Sequence, residues 1–322
     1  MNDSRIEAYP GIVVLSRPFS AYPSLEGSGT MRRIVWALAL VILLSGCGAQ
    51  EEAASSVETT EALLVIDGAE VPAWRYLCWL DRTLAALGAE ASAEELAEAK
   101  AQALSDTALY AAVEAMAAEQ GIALSEEERA ALTPGVWGDL PEDQWRELAA
   151  VGALYGRLCA MEVSQETLAE FGAHRGYRTI DRILIPTGEG AAEKAAEVFA
   201  ALNGGGEAAF SAAKAQSADT LGPQTLLPGD GTLDAALDAA AGTLAEGQLS
   251  GILESEEGFS ILYCLPLDTE QMRIPWLDDQ LQARADGAEI QALSGYESLD
   301  ISGRYRKICG QNVESGQSAS SS

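Results

Sequence analysis

Two short runs of β-formers, Ile180–Pro186 (IDRILIP) and Phe259–Leu265 (FSILYCL), constrain the fold of this chain more than anything else in it. A small sheet needs a third strand or a covering helix to be stable. The second run must therefore return beside the first, with whatever lies between them packed on the pair. That intervening stretch reads as helix, helix, loop, short helix and turn. Ala191, Ala195, Val198, Phe199 and Leu202 recur at helical spacing, and Gly204–Gly206 ends the helix. Phe210 and Ala213 mark a second helix, Gly222–Gly231 a Gly/Pro loop, and Leu233 and Leu237 one face of a short third helix. The final strand arrives through a hairpin, GILESEEGFSILYCLPL.

The chain on either side of this unit reads as helical. A strand, ALLVIDG from Ala62, leads into a helix carrying Trp74, Leu77, Cys78, Leu80, Leu84 and Leu87 and stopped by Gly88. Ser92 with Glu95 forms a capping box for a long helix to Gln120, with Leu96, Leu104, Leu109, Val113 and Met116 inward. Ser125 with Glu128 caps another. Pro141 opens a fourth helix that runs to about Glu162 with Trp145, Leu148, Leu154 and Leu158, and Ser164 opens a short fifth. Beyond Leu265, the stretch from Ile274 to Leu293 reads as helix again, folding back on the first helical part. The expected fold class is α+β: a helical domain made of N- and C-terminal segments, with an inserted α/β domain holding a small antiparallel sheet.

The 322 residues carry 49 Asp and Glu against 20 Lys and Arg, a net charge of −29. Such a chain repels phosphate backbones, which argues against a nucleic-acid partner. Near the N-terminus, Arg32 and Arg33 precede an 11-residue apolar run, Ile34–Leu44, which is too short to span a membrane and reads as a signal peptide. The word that follows, Leu44-Ser45-Gly46-Cys47, resembles the lipobox of bacterial lipoproteins. That resemblance implies acylation of Cys47, a lipid anchor in the cell membrane and an extracytoplasmic protein. Residues 1–30 then read as an upstream extension, 31–46 as the signal peptide, 47–61 as an acidic flexible tether and 311–322 as a disordered tail.

The words ILIPT, AEKAAEVFAALNGGGEAAFSAAKAQSAD and AEGQLSGILESEEGFSIL, in the order strand, two helices, loop, short helix, hairpin, resemble the parvulin family of peptidyl-prolyl isomerases. IDGAEVPAWRYLCWL, AAVEAMAAEQGIALSEEE and VSQETLAEFGAHRGYRTIDRILI resemble, in the same order, the helical domain and linker of SurA- and PrsA-type foldases. The resemblance implies a helical domain over 62–176, a parvulin-like domain over 177–268 and a C-terminal helical segment over 269–310. It implies unfolded secreted polypeptides as partners. By position, Asp219 stands near the substrate carbonyl, and Leu227, Leu233 and Leu237 form the apolar cup for a proline ring. Both family histidines are replaced, one by Arg182 and one by Ser260.

Those replacements bear on turnover. Rotation about a peptide bond faces a barrier of about 18–20 kcal/mol. A catalyst lowers it by gripping the proline ring, desolvating the amide and aiming a few hydrogen bonds at the twisted state. Leu233 and Leu237 could grip a ring, and Asp219 with Ser260 could hydrogen-bond. Arg182 brings a permanent charge and could instead pair with Asp219 and fill the site. Each residue also has a plainer role: the leucines as core, Asp219 as a turn former, Ser260 as a small strand residue. Two functions stand: a foldase that isomerises X-Pro bonds, and a chaperone of the same architecture that only binds.

No pattern calls for a cofactor or a metal, and none names an oligomeric state. His174 is the only histidine, which excludes His-based triads and multi-His metal sites, and it reads as a surface residue. GGG at Gly204–Gly206 lacks the Lys-Ser/Thr of a phosphate loop, and LPGDGTLD lacks the terminal Glu of a calcium loop. Cys78, Cys159, Cys264 and Cys309 are isolated and read as free thiols, although disulfides are open to an extracytoplasmic protein.

Overall fold

Asp67 and Gly68 set the first element. In the computed structural model, which describes residues 61–88 and 90–319, both take positive φ, 49° and 80°, as a two-residue hairpin turn of type I′ requires. They join β1 (Ala62–Ile66) to β2 (Ala69–Pro72), a strand read in the sequence as part of the helix approach. The Asp-Gly pair was the available signal for it.

α1 (Ala73–Ala85) buries Tyr76, Leu80 and Leu84 completely. α2 (Ala93–Glu119) starts on the capping box: Glu95 N–H donates to Ser92 Oγ at 3.2 Å and Ser92 N–H to Glu95 Oε2 at 2.7 Å. Of the residues expected inward, Leu109 and Val113 are buried, but most of the buried face is made of small side chains. Ala99, Ala103, Thr107, Ala108, Ala112 and Ala117 are inside with Leu109, Tyr110 and Val113, while Leu96, Leu104 and Met116 are half-buried. Small side chains let α1 lie close to α2, so the larger residues move to the margins of the contact. α3 (Glu126–Ala130) has its own capping box but only five residues, and α4 (Glu142–Cys159) buries Leu148, Val151, Tyr155 and Leu158.

α5 (Gln165–Arg175) stops at Gly176, in the left-handed conformation at φ 85°. β3 (Arg178–Pro186), α6 (Ala191–Leu202), α7 (Gly206–Ala213), β4 (Gln224–Leu226), α8 (Ala235–Thr243), β5 (Leu253–Ser255) and β6 (Gly258–Leu265) follow. They form one antiparallel sheet of order β4-β3-β6-β5. β4 corrects the sequence reading, which had loop there: three residues beside Pro223 carry too little pattern to be read, yet they cover the open edge of β3 from Arg178 to Ile180. Ile183, Ile185, Ile261 and Tyr263 pack with Val198, Leu202 and Phe210 of α6 and α7. Phe199, expected inside, is 36% exposed. On the opposite face Ile180, Leu226, Leu262 and Cys264 pack with Leu237, Ala241 and Leu244.

A 3-10 turn at Thr269–Met272 leads to α9 (Arg273–Gly287). The segment after it is not helix, as expected, but β7 (Ile290–Ala292), which pairs with β1 through Leu64↔Ala292 and Ile66↔Ile290. The reason is backbone satisfaction: Leu63 and Leu64 are fully buried, and a buried strand needs partners for its amides on both sides. α10 (Ser294–Glu297) and α11 (Ile301–Ala319) complete the described chain, the latter reaching into the stretch read as a tail.

The described residues divide into two compact units, one of residues 159–278 and one joining residues 61–158 to residues 279–319. With eleven α-helices and two small antiparallel sheets among the described residues, the class is α+β. Cys78, Cys159, Cys264 and Cys309 form no disulfide with one another, the first and third buried and the other two half-buried. No helix among the described residues is long and apolar enough to cross a membrane. Cys47 and residues 31–46, read in the sequence as a signal peptide, lie outside the described residues.

Candidate functional site

The ladder between β3 and β6 decides which side chains meet. Arg182 stands opposite Leu262 and Leu184 opposite Ser260. Since side chains alternate along a strand, these four share one face. Ile183, Ile185, Ile261 and Tyr263 take the other.

Arg182 is held from two sides. Its Nε donates to Asp219 Oδ2 at 2.9 Å and its Nη1 to Glu257 Oε2 at 2.8 Å. The Asp219 side chain is 7% exposed, that of Arg182 21% and that of Glu257 56%. Asp219 is itself fixed by its loop. Ser217 Oγ accepts the N–H groups of Leu184 (2.9 Å) and Asp219 (3.0 Å), Ala218 N–H donates to Leu184 O (2.8 Å), and Asp219 Oδ1 accepts Leu221 N–H (2.9 Å). The loop is thus stitched to the backbone of β3. Burial pushes the Asp219 carboxyl upward, but the Arg182 guanidinium and the Leu221 N–H outweigh it and hold the group below the usual aspartate range. Arg182, beside two carboxylates, is a fixed cation.

Ser260 is 0% exposed and its hydroxyl has no hydrogen-bond partner. Leu184 and Leu253 flank it on the neighbouring strands. A buried hydroxyl without a partner costs stability, about 1–3 kcal/mol. In this position it reaches neither solvent nor the Arg182 group.

The three leucines separate. Leu237 is 1% exposed, inside the cluster with Ile180, Leu226, Leu262 and Cys264. Leu233 does not share a helix face with it, because α8 begins only at Ala235; it lies in the preceding loop, half-buried against the same cluster. Leu227, just past β4, is also half-buried. Sequence reasoning missed Glu257, although the register that places the hairpin turn beside the first strand would have brought it near Arg182. It also missed Asp238, whose two carboxylate oxygens accept Gly229 N–H at 2.9 and 2.8 Å and pin the Gly/Pro loop to α8.

No family model matches the chain, and no curated protein matches it. Among solved structures it is similar to PrsA from Bacillus subtilis, at 15% identity over 79% of this chain and 93% of that one, with a TM-score of 0.27. It is also similar to the peptidylprolyl isomerase PrsA from Bacillus cereus, at 14% identity over 79% and 93%, with a TM-score of 0.24. A third likeness is to a structure from the description of PEB4 and Cj1289, SurA-like chaperones of Campylobacter jejuni, at 12% identity over 72% and 99%, with a TM-score of 0.20. These neighbours are PrsA- and SurA-like foldases.

Proposed function

We propose that this chain is an extracytoplasmic foldase that binds unfolded secreted polypeptides and whose parvulin-like unit does not accelerate X-Pro isomerisation. The order of strand, two helices, loop, short helix and hairpin, with the words quoted above, supports the lineage. The arrangement of Arg182 between Asp219 and Glu257 carries the claim about turnover. A catalyst of amide rotation needs preorganised donors aimed at the twisted amide in a dry apolar site. Here a guanidinium lies across the sheet face, its Nε and one Nη already engaged by two carboxylates. Ser260 is sealed beneath the surface and Leu237 is part of the core. What remains open, half-buried Leu227 and Leu233 and the 55%-exposed Leu221, suits a polypeptide that is held rather than turned over.

The tether is part of the same proposal: acylation at Cys47, following Leu44-Ser45-Gly46, anchors the protein in the membrane, with the helical segments 62–176 and 269–310 forming one client-binding domain and 177–268 inserted in it. The experiment is a titration of the soluble chain into a denatured client that aggregates on dilution, followed by light scattering. Aggregation falls in proportion to added protein on this account. Undiminished scattering at a several-fold excess removes the foldase reading.

A further inference from the structure

β5 is the last strand of its sheet, and among the described residues no strand pairs with its outer edge. The hairpin fixes which backbone groups that edge presents. Ser250 N–H donates to Leu262 O (2.9 Å), and Cys264 both donates to Gln248 O (3.0 Å) and accepts from Gly247 N–H (2.7 Å), so the even-numbered residues of β6 turn their amides toward β5. Ser260 and Gly258 follow the same alternation and face Leu253 and Ser255. Glu254 then falls between the bonded pairs, opposite Phe259, and directs its N–H and C=O outward. Glu254 is exposed, and so is Ile252 two residues before it, at 38%. Glu257, at the turn, is tied to Arg182, which holds the hairpin in place before anything binds.

An open edge is a template for another strand, and native proteins guard it with short length and charge. Here the guard has one sign. Glu254, Glu256 and Glu257 are all exposed, and between Lys214 and Arg273 the chain has ten Asp and Glu and no Lys, Arg or His. Such an edge repels acidic strands and attracts basic ones. We propose that the open edge of β5 takes up an extended, basic segment of a client as a fifth strand. Main-chain hydrogen bonds to Glu254 supply the pairing, and Lys or Arg side chains lie across from Glu254 and Glu256. This rests on the polypeptide-binding reading above and names the class of segment bound.

The test is fluorescence anisotropy of the soluble chain with labelled peptides of about ten residues, one alternating Lys and Val, one alternating Glu and Val. The Lys/Val peptide is expected to bind, more weakly as salt rises, and the Glu/Val peptide not to bind. Glu254→Gln weakens binding several-fold and flattens the salt dependence. Glu254→Pro removes an N–H that the sheet does not use and weakens binding tenfold or more. A Lys/Val peptide N-methylated at every residue, which presents no N–H on either edge, loses binding to the unmodified protein, so the outcome stands even where the proline variant unfolds. Equal binding of both peptides, or full binding of the N-methylated one, overturns the proposal. Suppressed client aggregation without Lys/Val binding rejects the edge alone, whereas loss of both rejects the foldase reading with it.

Discussion

On one face of the β3–β6 ladder Ile183, Ile185, Ile261 and Tyr263 interlock with α6 and α7. On the other, one residue out of step, Arg182 spans two carboxylates and Ser260 hides a hydroxyl with no partner. The first face gains stability in proportion to the apolar surface it removes from water. The second spends part of that gain on desolvating an ion pair and leaving a hydroxyl unsatisfied. Both faces carry an apolar cluster, and the second alone adds to it an ion pair and an unsatisfied hydroxyl. Substitutions can separate them.

The largest effect belongs to the apolar face. Ile183→Ala, at a fully buried position, is expected to destabilise the sheet unit by about 2–5 kcal/mol, read from its denaturant transition. On the opposite face, Asp219→Ala leaves Arg182 with Glu257 alone and is expected to cost about 2–3 kcal/mol. Replacing Arg182 and Asp219 together by leucine should return the protein to within about 1 kcal/mol of its original stability. A double variant as unstable as Asp219→Ala would show that the ion pair, and not merely its desolvation, holds that face together.

Acid separates Asp219 from a second carboxylate elsewhere. Asp219 is held below its ordinary value, so its contribution is complete above the unfolded pKa, near 3.9, and is lost as pH falls through the lower folded value. Asp106 in α2 is pushed up to about 6 by burial, which Gln102 Nε2, donating at 2.9 Å, only partly offsets. Its sign is opposite: the stability it lends is complete below the unfolded value and is lost as pH rises through about 6. Asp106→Asn should abolish that slope in a stability profile between pH 4 and 7, and a slope that survives assigns it to another group. The smallest effect is expected of Ser260→Ala. Removing the hydroxyl recovers its desolvation cost of about 1–3 kcal/mol, offset in part by the packing lost with one buried atom, so a small net gain in stability is expected; a clear loss would mean that the hydroxyl has a partner after all.

Much of the sheet unit was legible because its signals are local and dense. ILIPT and FSILYCL are β-branched and apolar runs bounded by turn residues, and Ala191, Ala195, Val198 and Leu202 repeat at helical spacing; these became β3, β6 and α6. The two capping boxes, at Ser92 and Ser125, also formed as read. The failures are non-local. β7 is a strand because β1 needs a partner some 225 residues away in the chain, between Leu64 and Ala292, and nothing in EIQAL announces that. The alanine face of α2 reflects the proximity of α1, a tertiary fact that no helical periodicity carries. At the site, the chemistry of Arg182 with Asp219 was readable from residue type. The placement of Leu233 outside α8 was not, because helix boundaries depend on where the backbone turns rather than on which residues are apolar.

The central claim is that a guanidinium fixed between Asp219 and Glu257 occupies the face on which an X-Pro bond would have to turn. Exchange NMR of an Ala-Pro tetrapeptide in the presence of the soluble chain tests it most directly. The account predicts cis–trans exchange at the uncatalysed rate, on the order of tens of seconds at 25 °C, at every protein concentration. Exchange that quickens tenfold or more in proportion to added protein would contradict it.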